Sequence, residues 1–235
     1  MLKFSSPLHE GKLIQRYKRF FADVELKNGE VVTAHCANTG SMKGCAEAGS
    51  TVYLSFHDNP ARKLKYGWEY TRTERGLIGV NTSRPNLIVG EALALKKIPA
   101  LSEFAFVKGE AKFGAGTRFD FLLKKDEASD VGCYVEVKNV SLCRDGVAQF
   151  PDAVTTRGQK HLHELIAAKE SGVRAVMLFA INRPEAKEFT PADDIDPEYG
   201  RILRTAKERG VEIYAHKIKN TLEGSELGDA IPVKL

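Results

Sequence analysis

Apolar and polar positions alternate in short bursts over the first third of the chain. The runs KLIQRYKRFFADVEL (12–26), EVVTAHCAN (30–38), STVYLSFHD (50–58) and KYGWEYTRTERGLIGVNTS (65–83) carry a period of two, the signature of half-buried strands. Asn28-Gly29 separates the first two runs and favours a hairpin, because both residues accept positive φ. Five or so short strands in roughly eighty residues predict a small all-β barrel or sandwich. An OB-like barrel fits that size, and an SH3-like barrel fits nearly as well.

The pattern changes near Ser83-Arg84-Pro85-Asn86, which places a domain boundary between 83 and 84. LIVGEALALKK (87–97) has helical length and ends before Ile98-Pro99. FAFVKGEAKF (104–113), TRFDFLL (117–123) and CYVEVKNVSL (133–142) read as strands. TRGQKHLHELIAAKESG (156–172) is a helix with Leu162, Leu165 and Ile166 on one stripe and Gly172 as its stop. RAVMLFAI (174–181) is continuously apolar, as expected of a strand covered on both faces. DPEYGRILRTAKERG (196–210) opens on Asp-Pro and closes at Gly210, and VEIYAHKI (211–218) completes a strand-helix-strand unit. Residues 84–235 therefore predict an α/β domain with a mixed sheet, preceded by the barrel of residues 1–83.

Composition narrows the class. No run of eighteen apolar residues occurs, which argues against a helical membrane span, and MLKFSSPLHEG lacks the apolar centre of a signal peptide. The cytoplasm is the expected compartment. Cys36, Cys45, Cys133 and Cys143 form no CxxC pair and read as reduced thiols. His161 and His163 stand in no HExxH or zinc-like spacing.

Charge is distributed unevenly. Residues 1–83 hold 12 Lys and Arg against 8 Asp and Glu, a net +4, whereas the remainder holds 23 against 23. The excess positive charge sits in the barrel, where it suits an anionic partner such as nucleic acid. Arg16, Lys18 and Arg19 cluster with Tyr17 and Phe20; Arg62, Lys63, Lys65 and Arg72 interleave with Tyr66, Trp68 and Tyr70. Cations along a groove neutralise phosphates and aromatics stack bases. The alternation must also send half of these rings inward, so Trp68 and Phe21 are as suited to the core as to a stacking platform. The loop NTGSMKG (38–44) offers backbone amides to a phosphate, or merely a tight turn.

The strand CYVEVKNVSL carries the candidate chemistry. Its alternation puts Tyr134, Glu136 and Lys138 on one face and Val135, Val137 and Asn139 on the other. The polar loop KKDEASDVG (124–132) makes it a hairpin partner of TRFDFLL. Pairing Leu123 with Cys133 sets Asp120 opposite Glu136 and Arg118 opposite Lys138, with Phe119, Phe121 and Leu123 on the apolar face. Two carboxylates directly opposed destabilise a sheet. A divalent cation, Mg²⁺ or Mn²⁺, held by Asp120 and Glu136 resolves the repulsion, and Lys138 is then placed to orient a water or steady charge on a phosphate. The alternative is an exposed hairpin with diagonal ion pairs.

Asp120 followed by Glu136-Val137-Lys138 on consecutive strands after a helix resembles the PD-(D/E)xK, restriction-endonuclease-like nuclease superfamily. Phe119 stands where that pattern usually has proline. The resemblance implies a further acidic residue on the preceding helix, for which Glu91 is the available carboxylate. It also directs attention to Arg157, Gln159, Lys160 and His161 at the start of the next helix, where Arg157 and Lys160 are candidate DNA contacts. ANTGSM (37–42), KYGWEYT (65–71), GVNTSRPN (79–86), GTRFDFLL (116–123), YVEVKNVSL (134–142) and TTRGQKHLHEL (155–165) resemble the sugar fermentation stimulation protein A family. That resemblance spans nearly the whole chain and implies an OB-like barrel joined to a nuclease-like domain, and DNA binding with a role in regulating sugar metabolism. Three functions compete: a metal-dependent DNA nuclease, a DNA-binding regulator with a vestigial site, and a small-molecule metalloenzyme. The intact acid-acid-lysine set favours the first over the second, and the basic, aromatic-rich barrel disfavours the third. Cutting both strands at once with one site per chain calls for a homodimer.

Overall fold

The alternating runs of the first third close on themselves. The computed structural model describes residues 1–42, 44–114, 116–129 and 132–235. After a two-residue strand β1 (Leu2–Lys3) come β2 (His9–Tyr17), β3 (Phe21–Leu26), β4 (Val31–His35), β5 (Thr51–Phe56), β6 (Tyr66–Thr73) and β7 (Gly76–Gly79). Strands β4-β3-β2-β5-β6 are hydrogen-bonded in that order, and β4 pairs in parallel with β6 through Ala34–Tyr66 and His35–Gly67. This single parallel pair closes five strands into an OB barrel, which settles the choice against the SH3-like alternative. The inward residues include Leu13, Val24, Val52, Leu54, Trp68 and Ile78. Trp68 is core: it is 1% exposed and its indole N–H donates to the Tyr70 carbonyl at 3.0 Å. Phe21 remains half-buried, stacked on Tyr17.

Helix α1 (Arg84–Ala94) starts three residues before the expected run, because Pro85 is well tolerated in a first turn. Then follow β8 (Phe106–Phe113), β9 (Thr117–Lys124), β10 (Gly132–Val140), β11 (Leu142–Arg144), β12 (Val147–Phe150), α2 (Thr156–Glu170), β13 (Arg174–Ile181), β14 (Glu188–Pro191), α3 (Pro197–Glu208), β15 (Glu212–Asn220) and β16 (Gly224–Ala230). The large sheet has the order β1-β16-β15-β13-β10-β9-β8. Its centre, β10-β13-β15, is parallel, and both flanks are antiparallel. The continuous apolar run of β13 follows from this: Ala175 to Ile181 are fully buried. One face packs Phe121, Leu123, Val135 and Val137 against Ile88, Val89 and Leu93 of α1. The other packs Met177 and Phe179 against α2 and α3. Fully burying each such side chain contributes about 1.5–3 kcal/mol.

Strands β2–β7 precede position 84, but β1, which also precedes it, pairs with β16 in the C-terminal sheet. Arg84 fastens this crossover, donating to the Leu2 carbonyl and lying 4.0 Å over the Phe4 ring. A separate small sheet, β11-β12-β14, flanks the large one. No helix among the described residues is long and apolar enough to cross a membrane.

Candidate functional site

The hairpin register is the expected one as far as it runs. Leu123 faces Cys133 and Phe121 faces Val135, and there the β9–β10 ladder stops. On the other side of β9, Gly109 faces Phe121 and Ala111 faces Phe119, leaving Glu110 between them at φ 52. Left-handed backbone at a non-glycine residue marks a local kink. It turns β9 so that Phe119 packs toward α2 while Phe121 and Leu123 pack toward α1. The expected common face for these three residues is thereby corrected. Arg118 does not face Lys138 either; it lies across from Lys112 and reaches Glu110 at 3.9 Å.

At the break, Asp120 replaces the missing ladder bond with its side chain. Its Oδ2 accepts the Val137 backbone N–H at 2.7 Å, and its Oδ1 accepts Asn86 Nδ2 of α1 at 2.6 Å. Burial, then the Glu136 charge, raises the Asp120 carboxyl above the ordinary range, against the pull of Val137, Lys138 and Asn86.

Glu136 is 2% exposed. Its Oε1 accepts Lys138 Nζ at 2.5 Å and the Nδ1 of His161 from α2. Arg157 Nε, one turn earlier, donates to His161 Nε2 at 3.4 Å, which leaves the ring proton on Nδ1 to donate to Glu136. Burial works against the charged Glu136, but the His161 hydrogen bond and the Lys138 ammonium outweigh it and hold the carboxyl below its usual range. Glu136 Oε2 is buried without any partner. Gly158 allows α2 to sit this close, because a β-carbon there would lie 2.7 Å from Thr155 Cγ2 and 3.2 Å from the Tyr199 ring.

Glu91 is not part of this cluster. It lies along α1 from Asn86 on a different face, and its carboxylate pairs with the Met1 ammonium at 2.9 Å. Asn86 takes the position on α1 for which Glu91 was the candidate. Two residues that build the site, Asn86 and His161, had no assigned role in it from sequence. For His161 the signal was present, since the stripe of Leu162 and Leu165 brings that side of α2 toward the sheet.

The basic residues of the barrel divide by what they touch. Lys18 and Arg19 are exposed at the tip of the β2–β3 hairpin, next to Phe20, which is 46% exposed. Arg72 is exposed beside Tyr53, donating to its hydroxyl at 2.8 Å, and Lys65 lies 3.7 Å from Asp58. Arg62 is half-buried and Lys63 exposed. Arg157 and Lys160 are exposed on α2, Lys160 being 3.5 Å from Glu164.

Arg16 is different: its Nη2 donates to the carbonyls of Arg19, Asn38 and Gly40. Its guanidinium ties the hairpin to the neighbouring loop, which removes it from the free cations. Arg16→Ala is expected to lower stability by about 1.5–3 kcal/mol, read by thermal unfolding, with nucleic-acid affinity unchanged. The loop NTGSMKG also turns inward. Gly40 N–H bonds Asn38 Oδ1, and Ser41 N–H bonds Asp152 Oδ2 at 3.0 Å; Lys43 lies outside the described residues.

Among the described residues no three His, Cys, Asp or Glu side chains converge as a metal-binding group. A smaller donor set is present, because Glu136 offers a buried oxygen without a partner beside the like charge of Asp120. Those are donors that suit a hard cation taking one or two carboxylates and completing its shell with water and phosphate.

An OB barrel joined to a mixed α/β sheet, with two carboxylates and a lysine where the sheet splits, defines a class of two-domain protein. The family models agree in both halves: "SfsA N-terminal OB domain" matches residues 14–80 and "Sugar fermentation stimulation protein RE domain" matches 83–224. The chain belongs to the sugar fermentation stimulation protein family. It is 48% identical to the homolog of Geotalea daltonii over 229 residues, covering 97% of this chain and 98% of that one. It is 50% identical to the Pasteurella multocida homolog over 212 residues, covering 89% and 88%. The solved structure titled as Pyrococcus furiosus SfsA in complex with Ca²⁺ superposes with a TM-score of 0.88 over the whole of both chains, at 26% identity.

Proposed function

We propose that this protein binds DNA and hydrolyses its phosphodiester bonds at the Asp120–Glu136–Lys138 cluster with a divalent cation, Mg²⁺ or Mn²⁺. The observation that carries this reading is the uncompensated pair of carboxyls: Asp120 is raised by burial and Glu136, while Glu136 keeps a buried oxygen without a partner. A bound cation supplies the positive charge that neutralises both acids and polarises a phosphate. Asp120 and Glu136 would hold it. Lys138 directs its ammonium at the same spot and donates to the attacking water or to a phosphate oxygen. His161 fixes the Glu136 carboxylate, and Arg157 fixes the His161 tautomer while exposing its remaining N–H groups to a phosphate. The Ca²⁺ named for the Pyrococcus furiosus relative is a hard, oxygen-seeking cation of the kind these donors suit.

One observation favours a second reading, a DNA-binding regulator with no turnover: Lys138, Glu136 and His161 already satisfy one another as a closed set. A plasmid-nicking and single-strand digestion assay with Mg²⁺, Mn²⁺ or EDTA separates the two. Metal-dependent cleavage supports the nuclease; retained binding without cleavage under any metal supports the regulator.

The hairpin tip supports the DNA half of the proposal. Lys18 and Arg19 take φ of 47 and 64, a conformation that costs ordinary L-residues about 1–2 kcal/mol each. Strain kept at an exposed cationic tip is a functional signal. Lys18→Asn with Arg19→Gly suits left-handed backbone better, so the double variant is expected to unfold at higher temperature. Its DNA affinity is expected to fall, with the slope of log K against log salt shrinking by ~0.9 for each phosphate no longer neutralised. A variant that gains stability and keeps the full salt slope would remove the tip from the interface.

A further inference from the structure

A cleft of about 310 Å³ lies between the two domains, away from the Glu136 cluster itself. The barrel contributes residues 38–40 and Thr82, and the C-terminal domain contributes the end of β10, β11–β12 and residues 150–155. Ser41 and Asp152 hold the two sides together, since both the amide and the hydroxyl of Ser41 donate to Asp152 Oδ2.

The lining is specific in what it leaves open. Asn38 is 3% exposed, its Oδ1 is committed to the Gly40 N–H, and its Nδ2 has no partner. Gln149 presents a buried Oε1, also without a partner. One unmatched donor and one unmatched acceptor thus meet at a single cleft, where buried polar groups are otherwise almost always paired. Phe150, Pro151, Leu142 and Val154 supply apolar walls, and Val154 at the rim is 68% exposed.

Charge excludes one obvious ligand. Among the described residues no lysine or arginine lines the cleft, and Asp152 is its one charged group. A phosphate would be repelled. A neutral, flat ring with a donor and an acceptor on its edge matches the walls and both open groups, and the volume is at the lower end for a ligand site, suited to one such ring.

Position identifies the ring. Thr155 lines the cleft and is also the N-cap of α2, accepting the Gly158 N–H. Arg157 and His161, on the next turn, belong to the Glu136 cluster. Phe150 packs edge-on against Tyr199 at 5.1 Å, and Tyr199 packs against Gly158 of the same helix. A strand whose phosphate meets Arg157 therefore has a neutral pocket beside it. The geometry points to a nucleobase site: the interdomain cleft takes one unstacked base of the bound strand, read by Asn38 Nδ2 and Gln149 Oε1. The inference rests on the DNA-binding reading above and adds a requirement for an unstacked nucleotide, met most readily by single-stranded, mismatched or damaged DNA.

The test uses the full-length protein and an oligonucleotide carrying one 2-aminopurine, whose emission rises when it leaves the stack, with strand affinity measured separately by anisotropy. Wild type is expected to raise the emission several-fold. Gln149→Met removes the acceptor at similar volume, and Asn38→Asp removes the donor while keeping the Oδ1 that accepts from Gly40. Each should lose most of the rise while strand affinity changes by less than about tenfold. Free 2-aminopurine nucleoside at the same concentration should respond far less. Binding without a rise, or a rise untouched by both substitutions, overturns the base site and leaves DNA binding standing. No binding to any strand overturns both readings. A free nucleoside that responds as strongly as the strand reassigns the cleft away from strand recognition.

Discussion

Glu136→Gln is expected to reduce metal-dependent cleavage by roughly 10³-fold or more while leaving DNA affinity within a few-fold of wild type. The amide keeps the volume and one acceptor, so Lys138 and His161 still find an oxygen. What disappears is the negative charge and the carboxylate oxygen that has no protein partner. Asp120→Asn is expected to abolish cleavage as well, but with the opposite effect on stability to that of an ordinary core substitution. The folded state raises the Asp120 carboxyl through burial and Glu136, so its charged form costs stability at neutral pH, and that cost disappears as pH falls through the raised value. Removing the charge should therefore raise the melting temperature at pH 7. Glu136 has the reverse sign: held low by His161 and Lys138, it contributes stability above its ordinary range that is lost as pH falls. A gain in stability with loss of cleavage is the trade-off expected of a site kept for chemistry. Cleavage by Glu136→Gln at the wild-type rate would end the assignment of this cluster.

The central strands were legible because two simple signals coincide there. A continuous apolar run requires cover on both faces, and β13 has it; a polar loop ending in Gly132 sets the β9–β10 register. The small sheet was missed although Asp145-Gly146 is a two-residue hairpin signal, and both residues take positive φ between Arg144 and Val147. β16 reads GSELGDA, with little strand propensity, and exists because β15 and β1 supply partners on either side. The candidate site was half legible. Period two places Glu136 and Lys138 on one face, and the hairpin count brings Asp120 near them. What alternation cannot contain is the kink at Glu110, which ends the ladder and lets Asp120 bond Val137 through its side chain. Nor does it give the phase of α1. Asn86 and Glu91 are five positions apart on that helix, so only one of them meets Asp120. Arg16 shows the same limit for charge, because a guanidinium bonded to three carbonyls reads in sequence like a free phosphate contact.

Asp196→Ala is expected to destabilise the protein by about 3 kcal/mol and to reduce activity through α2. Asp196 is 2% exposed and serves two helices at once. Its Oδ1 caps α3 by accepting the Tyr199 N–H at 2.9 Å, and its Oδ2 accepts the Thr155 N–H at 2.9 Å, just ahead of α2. Gln159 Nε2 bonds both oxygens. Loss of a cap costs about 0.5–2 kcal/mol, and each buried donor left without a partner costs about 1–3 kcal/mol before the chain relaxes. Partial relaxation keeps the total below the sum of these. For a chain of this size the change corresponds to a fall in melting temperature of roughly 6–12 °C. Asp196→Asn keeps one acceptor oxygen and should lose about half as much. The functional consequence follows from where the loosened turn leads: Thr155 borders the interdomain cleft, and Arg157 and His161 stand on the first turns of α2. Both variants should therefore lose cleavage at temperatures well below their melting points, and Asn should recover part of it in step with the recovered hydrogen bonds. Full cleavage by a stable, well-folded Asp196→Ala would show that α2 holds its place through its packing against α3 and the sheet alone.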